Sequence, residues 1–198
     1  NQLLKIIPTK KIFFLYNKGF KIYDKFILQK KVNKTFEDLF YTYLYIFHLS
    51  KNYNRILILE DDFIVINKLK NKDIKNINYF FLNIKFDIYI LGCIPFLHNL
   101  YPYHNSYKNY VKLGTHSCVY SKESRSKINN IVFKMKKFYD IDYTISILYL
   151  KKIYFYKKPI FLQIFSETEN YKNWGGEGNI ISYIWINGLK KYLNLNKL

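Results

Sequence analysis

The sequence lacks alanine altogether, and its 198 residues include only four prolines, seven glycines and two cysteines. So few cysteines exclude a disulfide-dense scaffold, and no Pro-, Gly- or Ser-rich stretch forms a linker between domains. Hydrophobic residues make up 49% of the chain, which is enough for a sizeable core. We therefore predict a single globular domain over residues 1–198.

Long apolar runs are also missing. The most apolar run, residues 40–49, is about half as long as the roughly 18 residues that a membrane span needs, and Lys151 and Lys152 interrupt the next candidate. The pattern predicts no transmembrane segment. The sequence begins at Asn1 without a basic and then apolar leader, so a fragment is an open alternative, any targeting segment could be missing, and the sequence constrains localisation poorly.

Positive charge dominates, with 32 basic against 14 acidic residues and a net charge of +18. Such an excess suggests a nucleic-acid or anionic partner. Almost all of it is lysine, however, whereas sites that read phosphates or bases usually use the bidentate guanidinium, and the only arginines are Arg55 and Arg125. The abundant residues Lys, Asn, Ile, Tyr and Phe have codons rich in A and T, so genome composition explains the bias. We predict no nucleic-acid partner; attraction to nucleic acid or to an anionic substrate is the alternative.

The two cysteines, Cys93 and Cys118, lie in apolar segments and lack CxxC spacing. We expect both to be reduced residues of the core. A disulfide between them, or a role as metal ligands, is the alternative.

The first third of the chain predicts one strand and two helices. Residues 11–16 (KIFFLY) form a short apolar run ended by a turn at residues 17–19, and residues 21–31 then predict a helix. A stronger helix begins at Thr35, where residues 35–38 resemble a capping box. Its apolar positions have helical spacing and predict a face that covers a sheet: Phe36, Leu39, Phe40, Tyr43, Ile46 and Phe47. Residues 67–78 are rich in Asn and Lys and predict a solvated connection.

The rest of the chain alternates strands with helices. The predicted strands are residues 55–59 (RILIL), 86–91 (FDIYIL), 117–120, 153–156 and 160–163, and the first two are continuous apolar runs typical of strands buried on both faces. Ser121 predicts the cap of a helix that runs to about Phe138, with lysines at 134, 136 and 137 in its last turn. Residues 180–198 predict a final helix on the outside. This alternation predicts an α/β fold whose central sheet is mostly parallel and flanked by helices.

Three consecutive acids, Glu60, Asp61 and Asp62, directly follow the predicted strand at residues 55–59. In open α/β sheets, ligands bind beyond the carboxyl ends of the strands. Adjacent carboxylates repel one another and lose solvation unless a positive charge compensates, and a hard divalent cation does so. The cluster therefore predicts a metal site. A solvated acidic turn, or the acidic first turn of a helix, is the alternative.

Residues 56–63 (ILILEDDF) resemble the LEDD segment of family 25 glycosyltransferases, which include lipopolysaccharide and collagen galactosyltransferases and shorter relatives encoded by large DNA viruses. The resemblance covers about residues 36–174, and later segments follow in the family's order. They are residues 91–93 (LGC), 114–121 (GTHSCVYS), 140–142 (DID), 159–163 (PIFLQ), and 166–170 (SETEN) with Asn173 and Trp174. The resemblance implies a GT-A-like, Rossmann-related fold and favours a cytoplasmic location, such as the viral factory of an infected cell.

The chain departs from that family at its start. Family members begin with a longer nucleotide-binding portion, a strand ending in Asn-Leu and followed by basic residues. Only residues 11–20 (KIFFLYNKGF) fill that place here. Either these residues are that strand, or the GT-A-like domain is truncated at its N-terminal nucleotide-binding unit, which allows a degenerate or inactive protein.

The resemblance implies transfer of a sugar from a nucleotide diphosphate sugar, most simply a UDP-sugar, to a hydroxyl of a glycan or protein acceptor. Mn²⁺ or Mg²⁺ would stabilise the charge that develops on the departing diphosphate. Glu60 and Asp62 are the predicted metal ligands, because the first and third acids point to the same side if the strand continues through them. Asp61 then points away from the metal, toward the ribose of the donor or toward a side chain that contacts the metal ligands.

Family 25 enzymes are taken to invert the anomeric centre, which requires a carboxylate base for the acceptor hydroxyl. Asp142 is the predicted base and Asp140 the second candidate; the alternative is that one of them caps a helix starting near Tyr143. Gly92 and His116 are predicted to lie at the donor, with His116 on the metal or the diphosphate, although a hydrogen-bonded core histidine is the alternative. The residues predicted to line the acceptor side are Gln163, Glu167, Glu169, Asn170 and Trp174.

Other functions share parts of this pattern. Metal-dependent phosphoryl or nucleotidyl transfer also uses clustered acids at a strand end, but it needs a P-loop or fixed phosphate-binding basic residues, and we find neither. The non-enzymatic alternatives are a basic nucleic-acid-binding domain and a catalytically inactive glycosyltransferase-like domain.

Overall fold

The computed structural model describes residues 11–61, 63–65, 69–92, 102–103, 106–108, 116–135, 141, 144–145, 152–157 and 159–163, which form a mixed α/β structure. Its helices are α1 (Thr35–Leu49), α2 (Asn71–Asn83) and α3 (Lys122–Val132). Its strands are β1 (Phe26–Ile27), β2 (Lys30–Lys31), β3 (Arg55–Leu59), β4 (Phe63–Val65), β5 (Ile88–Ile90), β6 (Pro102–Tyr103), β7 (Ser106–Lys108), β8 (Ser117–Ser121), β9 (Ile153–Tyr156) and β10 (Phe161–Gln163).

The main sheet has six strands in the order β3-β8-β5-β9-β7-β6. Among its neighbouring strands, β5 and β9 are the parallel pair, and the others are antiparallel. The prediction of a mostly parallel sheet is therefore wrong. The strand β8 lies between β3 and β5 and runs against both. A central strand is covered on both faces whichever way it runs, so an apolar pattern carries no information on direction.

Helices cover both faces of this sheet, as predicted. Side chains alternate strictly between the faces, with a period of two along each strand. On the face shared with α1 and α3 lie Ile56, Ile58, Ile88, Ile90, Cys118 and Tyr120. On the face shared with α2 lie Leu57, Leu59, Tyr89, Leu91 and Val119. Burial on both faces holds fully for β5 and β8, whereas β3 is only partly buried because it lies at the end of the strand order.

Several predicted elements are confirmed. The helix α1 begins at Thr35 and buries Phe40, Tyr43 and Phe47 against the sheet, although its N-terminal cap is formed without the side chain of Thr35. The strands β3, β5, β8, β9 and β10 lie at the predicted positions. Ser121 caps α3, since its hydroxyl accepts a hydrogen bond from the backbone N–H of Ser124 at 3.0 Å. Cys118 is buried and forms no disulfide within the described residues, while Cys93 lies outside them.

Four local predictions are wrong. Residues 11–16 form no strand, and residues 21–31 contain the β1-β2 hairpin in place of a helix, with Leu28 and Gln29 in the left-handed region at its turn. The Asn- and Lys-rich stretch is not a connection, because α2 uses Ile77 and Phe80 at helical spacing to cover the sheet. The helix α3 ends at Val132, so Lys134 follows it. For α2, packing of Ile77 and Phe80 against the sheet decided between patterns that local composition left ambiguous.

Within the ranges given above, no helix is both long and apolar enough to cross a membrane. The predicted helix at residues 180–198 lies outside those ranges.

Candidate functional site

The acidic cluster begins where the edge strand β3 stops. The strand ends at Leu59, and the backbone N–H of Phe63 donates to the carbonyl of Glu60 at 3.4 Å, which closes a turn before β4 begins. Glu60 is half-buried and Asp61 is exposed, while Asp62 lies outside the described residues. The expectation that the first and third acids share a side required the strand to continue through them. Because the chain turns at Glu60, that argument no longer applies.

The carboxylate of Glu60 is held by helix α1. Glu60 follows Ile56 and Ile58 at a spacing of two residues, on the side of the sheet that α1 covers. There the hydroxyl of Tyr43 donates to Glu60 Oε1 at 2.7 Å. Burial, and next the negative charge of Glu60, raise the pKa of Tyr43 well above its ordinary value, so its hydroxyl keeps its proton. The sequence indicated Tyr43 only as a core residue, and nothing in its spacing identified the carboxylate partner.

Three strand termini meet at this edge of the sheet. Because β3 and β5 both run against β8, their carboxyl ends lie beside its amino end. The backbone N–H of Glu60 donates to the carbonyl of His116 at 3.0 Å, and that of Leu91 donates to the carbonyl of Ser117, also at 3.0 Å. The pairing brings Glu60, Gly92 and His116 into one row across the sheet, although Glu60 and His116 are 56 positions apart in the sequence.

Gly92 provides room for two side chains at this edge. A β-carbon at that position would lie 2.3 Å from Ser117 Oγ, 2.4 Å from His116 Nε2 and 2.7 Å from the carbonyl oxygen of Phe161. All three distances are too short for any carbon atom to fit. Gly92 therefore provides space for its neighbours, and its place beside the donor stays a prediction.

His116 and Ser117 are buried polar residues whose side chains find no hydrogen-bond partner among the described residues. His116 is 2% exposed and Ser117 0% exposed, and neither the two ring nitrogens nor Ser117 Oγ makes a hydrogen bond within the described part of the chain. Burial lowers the pKa of His116 to about 4, and the nearby backbone of Gly92 opposes only part of this shift. The imidazole is therefore neutral near pH 7, the form that binds metals or hydrogen-bonds uncharged groups. Buried groups of this kind normally find a partner, and a water, a ligand or a residue outside the described ranges could supply it.

The backbone of Gln163 lies close to the acidic cluster. The strands β4 and β10 pair antiparallel, and their register sets Gln163 opposite Phe63, the residue after Asp62. At its other end β10 is joined to the main sheet, since the N–H of Ile160 donates to the carbonyl of Leu91 at 2.8 Å. This hairpin connects the Glu60 turn to the strand end at Gly92.

The remaining predicted site residues lie outside the described residues. They are Asp62, Asp140, Asp142, Glu167, Glu169, Asn170 and Trp174. Ile141, between the two candidate bases, is helical and buried, and it belongs to the same core cluster as Tyr43 and Ile58. Ser117 was missed as a polar group of this edge, because a serine inside a predicted strand gives no sign that its hydroxyl is unpaired.

The carboxylate oxygens at this edge suit a hard divalent cation only if other ligands complete its coordination. In the ranges that the structure describes, no three His, Cys, Asp or Glu side chains gather closely enough to hold a metal by themselves. Mg²⁺ and similar cations are commonly bound by one or two carboxylates together with waters and substrate phosphates. Glu60 and Asp61, with Asp62 next in the chain, supply the right type of oxygen ligand for such a site.

Comparison of the chain with protein-family models gives no match, and comparison with curated proteins gives none either.

Proposed function

We propose that this protein is a metal-assisted glycosyltransferase with a GT-A-like fold, which transfers a sugar from a nucleotide diphosphate sugar to an acceptor hydroxyl. One observation carries the proposal: the acidic turn at Glu60 lies in the same row of the sheet as Gly92, His116 and Ser117, and the last two side chains make no hydrogen bond to the part of the chain that the structure describes. An acidic turn alone is an ordinary surface feature. Beside buried polar atoms that the described residues leave without partners, it has the character of a ligand site.

Each residue at this edge has a role in the proposed chemistry. Glu60 and Asp62 would hold Mn²⁺ or Mg²⁺, and the bound cation would supply a Lewis acid for the leaving diphosphate. The neutral ring of His116 would hydrogen-bond the sugar donor. Asp61, which is exposed at this edge of the sheet, would face the ribose of the donor. A UDP-sugar is the proposed donor and a glycan or protein the proposed acceptor.

The acceptor side of the proposal rests on the segment around Ile141. Asp142 would accept the proton of the acceptor hydroxyl as its oxygen bonds to the anomeric carbon and the bond from that carbon to the diphosphate breaks. Asp140 is the second candidate for this role. Support comes from Ile141, which is buried in the core cluster that also contains Ile58 and Tyr43. Gln163, Glu169, Asn170 and Trp174 are the proposed acceptor contacts.

A thermal-stability screen tests this function. The parent chain is mixed with UDP- and GDP-sugars, each with and without Mn²⁺, and its unfolding temperature is measured. We expect one donor to stabilise the fold only when Mn²⁺ is present, since a ligand at 100 times its Kd adds about 2.7 kcal/mol.

The variant Asp62→Asn should abolish this stabilisation and nearly all Mn²⁺-dependent turnover or hydrolysis of the sugar donor. Asp24→Asn is a matched control, because Asp24 is exposed and its ion pair among the described residues is with the exposed Lys31, at 2.7 Å. If no sugar nucleotide stabilises the parent and Asp62→Asn behaves like the parent, the proposal is wrong.

A basic nucleic-acid-binding domain is the second candidate. The net charge of +18 favours it, as do exposed aromatic rings near lysines: Phe13, Phe14 and Tyr16 are largely exposed, and Lys18 Nζ lies 5.0 Å from the centre of the Tyr23 ring. Binding of single-stranded RNA or DNA that persists at about 150 mM salt would support this function, because a diffuse charge effect fades at that ionic strength.

A further inference from the structure

We infer that residues 11–31 form a docking surface for a membrane that carries anionic lipid headgroups. This segment precedes α1 and contributes no residue to the candidate site. The inference therefore goes beyond the proposed function and does not rest on it.

Exposed apolar side chains are concentrated in this segment. Among the described residues, fourteen large apolar side chains are exposed, and eight of them lie at positions 13–28. They are Phe13, Phe14, Leu15, Tyr16, Ile22, Tyr23, Phe26 and Leu28. The first four are consecutive, and Phe13, Phe14 and Tyr16 are 79%, 74% and 86% exposed. A run of exposed apolar residues is unfavourable in water unless it serves a function such as binding.

The other side of the segment is fixed to the fold. Ile27 lies in the core cluster, and Phe20 packs against that cluster. The carboxylate of Asp38 in α1 binds the ammonium group of Lys25 and accepts a hydrogen bond from the backbone N–H of Phe20 at 3.2 Å. Because these contacts already order the backbone, binding through the exposed side chains would cost little further ordering.

The β1-β2 hairpin shows how the segment divides into a buried and an exposed side. Its register pairs Ile27 with Lys30 and Phe26 with Lys31. Paired residues lie on one face of a hairpin, and neighbours along a strand lie on opposite faces. Since Ile27 is buried, Phe26 and Lys31 share the outer face, where both are exposed. An apolar ring and an ammonium group thus reach the solvent side by side.

Positive charge accompanies the apolar side chains. Residues 11–31 contain six lysines and one acid, Asp24. Lys25 is buried beside Asp38, and Lys30 pairs with Glu37 at 3.7 Å. The four other lysines are exposed, and they are Lys11, Lys18, Lys21 and Lys31. Although Asp24 pairs with Lys31, exposed lysines outnumber the exposed acid by four to one, which complements an anionic lipid surface.

The composition of the segment favours a lipid surface over nucleic acid. Single-stranded nucleic acids stack their bases on aromatic rings, and Leu15, Ile22 and Leu28 offer no ring. The segment also lacks arginine, whose planar guanidinium binds phosphates through two hydrogen bonds. Aliphatic and aromatic side chains beside lysines suit interfacial binding, in which apolar groups enter the headgroup region and ammonium groups stay at its surface.

Vesicle co-sedimentation measures the binding. The parent chain is mixed at physiological ionic strength with vesicles of phosphatidylcholine, and with vesicles of an equimolar mixture of phosphatidylcholine and phosphatidylglycerol. We expect the parent to bind the anionic vesicles more tightly than the neutral ones, because the lysines attract only the anionic headgroups.

Two double variants separate this segment from apolar exposure elsewhere. Phe13→Ser/Phe14→Ser removes two exposed rings of the consecutive run. Leu82→Ser/Phe133→Ser is the control, since these residues are 81% and 71% exposed but lie in α2 and directly after α3. We expect Phe13→Ser/Phe14→Ser to bind the anionic vesicles at least about 10-fold more weakly than the parent, and the control to bind them like the parent.

The outcomes are distinct from those of the proposed function. If Phe13→Ser/Phe14→Ser does not fold, Tyr16→Ser/Ile22→Ser replaces it, with the same loss of binding expected. A parent that does not bind anionic vesicles, or binds neutral ones equally well, overturns the inference, and so does equal binding by the segment variant and the control.

A nucleic-acid partner is a separate outcome of the same variants. A parent that binds single-stranded RNA but no vesicles, and loses RNA binding in the segment variant, overturns the membrane surface in favour of nucleic acid. None of these results depends on sugar nucleotides or Mn²⁺, so the proposed function stands or fails by its own stability screen.

Discussion

His116 Nε2 occupies space that any side chain at position 92 would fill, since it lies 2.4 Å from the point where a β-carbon on Gly92 would be. Gly92 follows β5 and His116 precedes β8, and the two residues are 24 positions apart in the sequence. Their close approach shows that the end of β5 and the start of β8 are fitted to one another at the candidate site.

Gly92→Ala should therefore destabilise the fold. The added methyl group also meets Ser117 Oγ at 2.3 Å and the carbonyl of Phe161 at 2.7 Å, and overpacking of this kind typically costs about 1–3 kcal/mol or more. Urea unfolding measures the effect. Gly19→Ala is the control, because the nearest atom to its added carbon is Asp38 Oδ2 at 3.8 Å. Equal stability of the two variants would contradict the fit described here.

The stability of the protein should depend on the protonation of His116. Its pKa is about 4 in the folded chain and near 6.5 in the unfolded chain, so the unfolded chain binds the proton more tightly between these values. The contribution of neutral His116 to the free energy of unfolding is fully present above pH 6.5 and is lost as the pH falls toward 4. In total it amounts to roughly 3 kcal/mol.

The variant His116→Gln should lose less stability than the parent between pH 7 and pH 4.5, because glutamine does not titrate. Urea unfolding at several pH values measures the slope of the free energy of unfolding against pH. His48→Gln serves as the control, since His48 is exposed on α1. A slope in His116→Gln identical to that of the parent would show that the histidine is not neutral and buried as described.

The segment before α1 should depend on the buried pair of Lys25 and Asp38. Lys25 Nζ lies 2.5 Å from Asp38 Oδ1, and Oδ2 accepts from Asn17 Nδ2 at 3.1 Å and from the backbone N–H of Phe20 at 3.2 Å. Asp38→Ala leaves the buried ammonium without its counter-charge, which typically costs about 3–5 kcal/mol.

The double variant Lys25→Met/Asp38→Leu should cost less than Asp38→Ala, because both charges leave together. Urea unfolding of the single and double variants gives the comparison. A double variant that is clearly less stable than Asp38→Ala would mean that the pair contributes more than compensation of charge.

Removal of the α3 cap should have a smaller effect. The hydroxyl of Ser121 accepts from the backbone N–H of Ser124, so Ser121→Ala should cost about 1 kcal/mol. Thermal unfolding is a sufficient measure. Ser126→Ala, at an exposed position of the same helix, should leave the unfolding temperature nearly unchanged; a similar loss in both would point to something other than the cap.

The sequence predicted some residues of the candidate site and gave no sign of others. Glu60 was predicted from its place after an apolar strand, and His116 and Gly92 from a family resemblance; the structure brings these three together at one edge. Tyr43 and Ser117 were not predicted, because a tyrosine on an apolar helix face and a serine in a strand look like ordinary core residues. Their contribution depends on which atoms they meet across the fold.

The sequence by itself determined the elements whose periodicity is long or whose apolar run is continuous, such as α1, β3 and β5, and it fixed the acids at the end of β3. Those features are local, since they follow from side-chain spacing along one segment. Only the tertiary structure decided that β8 runs antiparallel between β3 and β5, that residues 26–31 form a hairpin, and that Tyr43 reaches Glu60. Strand direction and partner choice depend on contacts between segments far apart in the chain, and no local spacing encodes them.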